Sequence, residues 1–181
     1  MAFGNNGIFP TTIHGQITDS YGLPTYTNAL NPFSNSNIST GLQLGQGWLL
    51  FDFTVVSLLK SSGVIAANAA VTFQAGNSNP YTVGSALSTT NVGQVPVIGL
   101  NDRGGAITGA GAIQWMTTSG LGTALVAASQ NASSLGTGTP LGASTTVSGQ
   151  LTGTTAATAF YNNVLLLNSS TAAGSYPVLI N

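Results

Sequence analysis

The stretch Gly47-Trp48-Leu49-Leu50-Phe51-Asp52-Phe53-Thr54-Val55-Val56-Ser57-Leu58-Leu59-Lys60 is the densest run of large apolar residues in the chain, bracketed by Gly45, Gly47 and Gly63. Its centre is Phe, Thr and Val, which suit a pleated, half-buried surface better than a helix. In a strand, Leu49, Phe51, Phe53 and Val55 share one face, while Trp48, Leu50, Asp52, Thr54, Val56 and Leu58 share the other. The first face is wholly apolar and is expected in the core. The second needs a cover, from the same chain or a neighbour. About a dozen residues in one strand would span about 40 Å, so a bend or bulge is expected inside the stretch. A membrane-spanning helix needs about 20 apolar residues, which this run does not reach.

Residues 1–40 read as an extended N-terminal arm. Pro10, Pro24 and Pro32 interrupt it, and Asn5-Asn6-Gly7 and Tyr21-Gly22-Leu23-Pro24 are turn signals. Phe3, Phe9, Tyr21, Tyr26 and Phe33 are spaced along the arm, so each can dock singly on a neighbour or fold back on the chain's own core. Residues 41–181 read as a single β domain. A partner strand is expected over 64–75, joined to the apolar stretch through Ser61-Ser62-Gly63. A hairpin is expected over 92–118, turning at Asn101-Asp102-Arg103-Gly104-Gly105. Residues 119–159 are mostly Gly, Ala, Ser and Thr and read as short strands and loops, with Thr123 to Gln130 able to form two helical turns. Val164–Leu167 and Tyr176–Ile180 form a closing hairpin around a turn at Thr171–Ser175. No repeat stands out with a fixed period of about 20–50 residues. Short strands, Gly-rich turns and no long helix predict an all-β fold, an antiparallel sandwich or barrel.

Charge narrows the function classes. Charged residues are 3% of the 181, against about 25% in an ordinary soluble domain. The cations are Lys60 and Arg103, and the anions Asp19, Asp52 and Asp102. Two scattered cations cannot replace phosphate counterions, which excludes a nucleic-acid partner, and they supply no polybasic contact with lipid. The hydrophobic content is 43% and the mean hydropathy +0.32, enough for a core. A net charge of −1 gives little colloidal repulsion, so much of the surface is expected to be covered in an assembly.

Catalytic groups are scarce. His14 is the only histidine, no Gly-x-Ser-x-Gly elbow occurs, and there is no cysteine. Zinc and calcium lack ligand sets, and no P-loop is present, so neither a metal nor another cofactor is expected. Asp52 interrupts an apolar strand and should be solvated, bonded to backbone, or paired with Lys60 or Arg103. Asp102-Arg103 fits a hairpin turn. In a chain with so few charges the same pair could instead fix the register between protomers. Trp48, Trp115 or the tyrosines could serve as stacking platforms for a sugar. The start, Met1-Ala2-Phe3-Gly4-Asn5-Asn6, lacks the basic and apolar regions of a signal peptide.

A small, cysteine-free β chain rich in Gly, Ala, Ser, Thr and Asn resembles the accessory virion proteins of tailed bacteriophages, above all capsid decoration (cement) proteins. The resemblance is one of composition over the whole chain. It implies a jelly-roll or β-tulip-like body, often trimeric, with an arm reaching over capsid subunits. It also implies a location in the virion, a partner in the chain itself and in a major capsid or other virion protein, and no catalysis. A self-assembling coat, tail-tube or filament subunit is the alternative, and a carbohydrate-binding adhesive module the second.

Overall fold

The structure is a computed structural model, and it describes residues 44–50, 52–77, 79–127, 135–154 and 163–181. Among these residues there are ten strands and no helix. The arm residues Phe3, Phe9, Tyr21, Tyr26 and Phe33, together with His14, Asp19 and Phe51, lie outside the described residues.

The apolar stretch forms two strands, β1 (Gly47–Leu49) and β2 (Val55–Ser61), paired antiparallel with Trp48 opposite Val56. The chain reverses between them. Leu50 N–H donates to Thr54 O at 2.8 Å, and Phe53 N–H to Leu50 O at 3.1 Å. Phe53 takes the left-handed conformation, φ 63°, where glycine is usual. The expected bend is therefore a full reversal, which overturns the expected core face. Phe53 is 81% exposed, and Leu49 and Val55 are half-buried. Trp48, Val56 and Leu58 are buried instead, in a cluster with Trp115, so the cover comes from the chain itself. The two indoles meet edge to face, centroids 5.7 Å apart, a favoured aromatic geometry.

The remaining strands are β3 (Ala70–Phe73), β4 (Thr82–Ser85), β5 (Gly99–Leu100), β6 (Ile113–Val126), β7 (Pro140–Ala143), β8 (Leu151–Gly153), β9 (Val164–Leu166) and β10 (Gly174–Ile180). The expected β2–β3 hairpin does not form. β4 lies between them, parallel to β2 and antiparallel to β3. The 14-residue β6 occupies the place where two helical turns were expected at Thr123 and beyond, at least as far as Val126. The closing hairpin of β9 and β10 is present, with Val178 opposite Leu166.

The pairings close two five-stranded rings. The first runs β2–β4–β3–β5–β6 and closes through β2–β6, and the second runs β6–β10–β9–β7–β8 and closes through β8–β6. The fold is thus all-β and closed into barrels, with one parallel pair in each ring among antiparallel ones. Closure removes sheet edges that would otherwise present unpaired backbone groups. Ile113 to Ser119 of β6 pair with β2, whereas Gly120 to Val126 pair with β10, so a single strand serves both rings.

The rings also repeat one register. Val71 opposes Ser85 on one side and Gly99 on the other. Leu141 likewise opposes Gly153 and Val164. The parallel contact Ser61–Val83 matches Val126–Leu151, and Leu100–Thr117 matches Leu165–Leu179. Turns correspond as well: Asn68 and Gly138 both have positive φ, and each follows a bridge residue, Ile65 or Leu135. The period is roughly 65 residues, longer than the repeat lengths usually scanned. Each ring has its own core, Leu59, Ile65, Val71, Val83 and Met116 in the first, and Val126, Leu141, Leu151, Val164 and Val178 in the second.

Candidate functional site

The strand shared by both rings changes partners at Gly120, where φ is +92° and a Cβ would lie 2.8 Å from the Thr54 Cα. Only glycine tolerates both the conformation and the approach. Beyond it, side chains satisfy backbone groups of β6. Leu121 O accepts from Thr54 Oγ1 at 3.3 Å and from Arg103 Nη2 at 3.4 Å. Thr123 N–H donates to Asp102 Oδ2 at 3.1 Å. Thr117 Oγ1 donates to Asp102 Oδ1 at 2.8 Å and accepts from Arg103 Nε at 3.1 Å.

The Asp102 and Arg103 side chains are 4% and 11% exposed, with Arg103 Nε 3.7 Å from Asp102 Oδ1. Burial pushes the Asp102 carboxyl above its ordinary value, opposed by the hydrogen bonds from Thr117 and the Thr123 N–H and by the Arg103 guanidinium. Their partners named here are all within the chain, where the pair ties the β5–β6 connection to the second half of β6. Arg103 and Asp102 stood out by rarity. The threonines at 54, 117 and 123 did not, because threonine is common throughout this sequence.

Asp52 is exposed and accepts from Thr54 N–H at 3.0 Å, which lowers its pKa; this is the backbone-bonded outcome of the three expected. Asn101 is fully buried, its amide donating to Ala66 O at 2.9 Å and Gly105 O at 2.8 Å. Gln114 Nε2 donates to Asn101 Oδ1. These bonds fix the 101–105 turn to the end of the first ring.

Trp48 and Trp115 are buried, so neither offers an open ring face for stacking. Exposed apolar side chains are found elsewhere: Phe53 and Leu121 at the ring junction, and Phe73 and Tyr81 on either side of the β3–β4 turn. An open, mostly polar groove of about 730 Å³ adjoins that turn, lined by residues including Lys60, Ser62, Gln74, Asn77 and Asn79. Among the described residues no group of three or more His, Cys, Asp or Glu is placed to hold a metal. No helix among them is long and apolar enough to cross a membrane.

No family model matches the sequence, and no curated protein does. Among solved structures, the chain is similar to the N base of the head fiber protein gp8.5 of bacteriophage phi29, at 9% identity and a TM-score of 0.47, covering 71% of this chain and 94% of that one. A likeness at this level carries no functional argument.

Proposed function

We propose that this chain is a structural virion protein that decorates and stabilises a capsid through self-association and contacts across subunit boundaries, without catalysis. The observation that carries the reading is the division of labour among its side chains. Asp102 and Arg103, two of its five charged residues, are spent inside the fold, while Phe53, Val64, Phe73 and Leu121 face outward. Large apolar side chains on a nearly uncharged surface favour burial against a partner, at about 25 cal/mol per Å² removed from water. Such contacts need neither salt nor a titrating group.

The arm aromatics Phe3, Phe9, Tyr21, Tyr26 and Phe33 are the proposed contacts to neighbouring capsid subunits. The test is electron cryomicroscopy of the chain isolated with its source particle. The expected result is density for it on the outer surface of an icosahedral lattice, at subunit boundaries. Density confined to a tail tube, or absence from particles, would refute the decorating role.

A further inference from the structure

Of the two cations in the chain, Arg103 is spent at the ring junction, and Lys60 lines the groove beside the β3–β4 turn. Lys60 lies directly opposite Thr82 in the parallel contact between β2 and β4, so the two side chains leave the same face. Val83, the next residue, packs in the core of the first ring, which turns Thr82 and Lys60 outward. Among the described residues the Lys60 ammonium has no ion pair and no hydrogen bond. Thr82 is only 5% exposed and lines the groove, yet its hydroxyl bonds to no described residue. A polar group buried this far is ordinarily paired, so its lack of a partner within the chain points to one in the groove.

The amides around this pair are held by the chain itself. Asn79 Oδ1 accepts from Tyr81 N–H at 2.9 Å, which leaves the Asn79 amide nitrogen to donate. Gln74 Oε1 faces Ser62 Oγ at 3.5 Å, and the carboxamide lies across Gly84, where a Cβ would stand 2.6 Å from that oxygen. Glycine at 84 thus makes the room in which the Gln74 amide sits, with its nitrogen also left to donate. Donors therefore outnumber acceptors on the groove wall. Among the described residues no carboxylate lines it, and no large apolar side chain does.

We propose that this groove binds a sugar acid, a saccharide that carries a carboxylate. Lys60 takes the carboxylate, and the Gln74 and Asn79 amides with the Thr82 hydroxyl take the ring and hydroxyl oxygens. The lining selects this class of ligand. One ammonium with no acid beside it matches one negative charge, whereas a polyphosphate calls for several cations. A peptide or a lipid would find no apolar subsite for a side chain or an acyl chain. A saccharide, polar around its whole rim, needs none. The volume of about 730 Å³ lies within the range of small-molecule sites, about 300–1,000 Å³. This binding does not rest on the decorating role, and its test uses the purified chain without capsid, so either reading can fail while the other stands.

Saturation-transfer difference NMR tests the proposal and works for an assembled protein as well as for a monomer. The probes are digalacturonate and sialyllactose, each set against its uncharged counterpart, digalactose or lactose, with inorganic phosphate as a competitor. At least one acid is expected to half-saturate the protein at about tenfold lower concentration than its neutral counterpart, the worth of one charge-assisted hydrogen bond. Lys60→Met is expected to abolish that preference, and Lys60→Arg to keep most of it. Gln74→Ala, which alters an exposed side chain, is expected to weaken the acid and its neutral counterpart alike, and it keeps the test open if circular dichroism shows that Lys60→Met does not fold. Transfer to neither acid would overturn the proposal, as would equal binding of the acids and their neutral counterparts. Displacement by an equal concentration of phosphate would reduce the groove to a simple anion site and overturn it too. A preference unchanged in folded Lys60→Met, or binding unchanged in Gln74→Ala, would place the sugar elsewhere on the molecule and refute it.

Discussion

The first ring is filled by Leu59, Ile65, Val71, Val83 and Met116, and the amides of Asn101 and Gln114 sit at its end. In the second ring the corresponding positions hold Ala124, Leu135, Leu141, Leu151 and Val178, with Leu166 and Tyr176 in place of the amides. Among the described residues only the first ring has an added strand, β1, whose Trp48 reaches Trp115. In the second, side chains of Thr54, Asp102 and Arg103 bond to the shared strand at Leu121 and Thr123. The register is common to both rings, but what fills and covers it is not. A ring of this kind therefore specifies where strands meet, while its outer surface is free to be closed by a strand, by side chains, by the other ring or by another chain.

That contrast can be broken at several points. Trp115→Ala should show the largest effect, about 4 kcal/mol of stability lost, because an aromatic unique to the first ring's cover leaves a cavity in a closed cluster. Urea titration followed by circular dichroism measures it. Since β6 belongs to both rings, the loss should appear as one shifted transition. Two separated transitions would mean that the rings unfold independently.

Asp102→Ala should cost about 3 kcal/mol, since it removes the acceptor of the Thr123 N–H and takes the carboxylate from the largely buried Arg103, which keeps its bonds to Thr117 and Leu121. The pH dependence carries a definite sign. The Asp102 pKa is raised on folding, so its contribution is most favourable below the ordinary carboxylate range and declines as pH rises through the raised value. Asp52 has the opposite sign, with stability present above the ordinary range and lost as pH falls through its lowered pKa; it is exposed and weighs little. Asp102→Asn should therefore flatten the decline in stability as pH rises out of the ordinary carboxylate range, read from urea midpoints. An unchanged slope would assign the dependence to another group.

Gly120→Ala should cost about 2 kcal/mol, combining a positive φ with a Cβ pressed on the Thr54 backbone. Phe53→Gly should move stability the other way, by about 1 kcal/mol, because it relieves a left-handed aromatic that is mostly exposed. Thermal melts of the two variants side by side measure both. A destabilised Phe53→Gly would show that the aromatic makes a contact worth more than its strain.

Much of this was legible in the residues. The apolar stretch marked the strands that hold Trp48, Val56 and Leu58, and the Gly-rich turns and short apolar runs indicated an all-β fold, with sandwich and barrel both left open. The reversal at Asp52-Phe53 was not, because its left-handed position is occupied by Phe rather than the Gly or Asn that announces such a turn. The repeat was hidden for a different reason. Matching positions hold unlike residues, as with Leu58 and Thr123, Trp115 and Pro177, or Asn101 and Leu166. Strands of two to four residues, such as β5, β8 and β9, are also too short to show alternation. Of the junction, Asp102 and Arg103 were conspicuous by rarity. Their threonine partners come from distant positions that only the crossing at Gly120 brings together.

The outward-facing Phe53, Val64, Phe73 and Leu121 are expected to be covered in part by another copy of the chain. Sedimentation velocity of the purified protein at low salt, over a range of concentrations, tests it most directly. The expected result is species larger than a monomer whose size grows with concentration or stops at a closed assembly, and which persist at high salt because the contacts are apolar. A single monomeric species up to the highest concentration would contradict it.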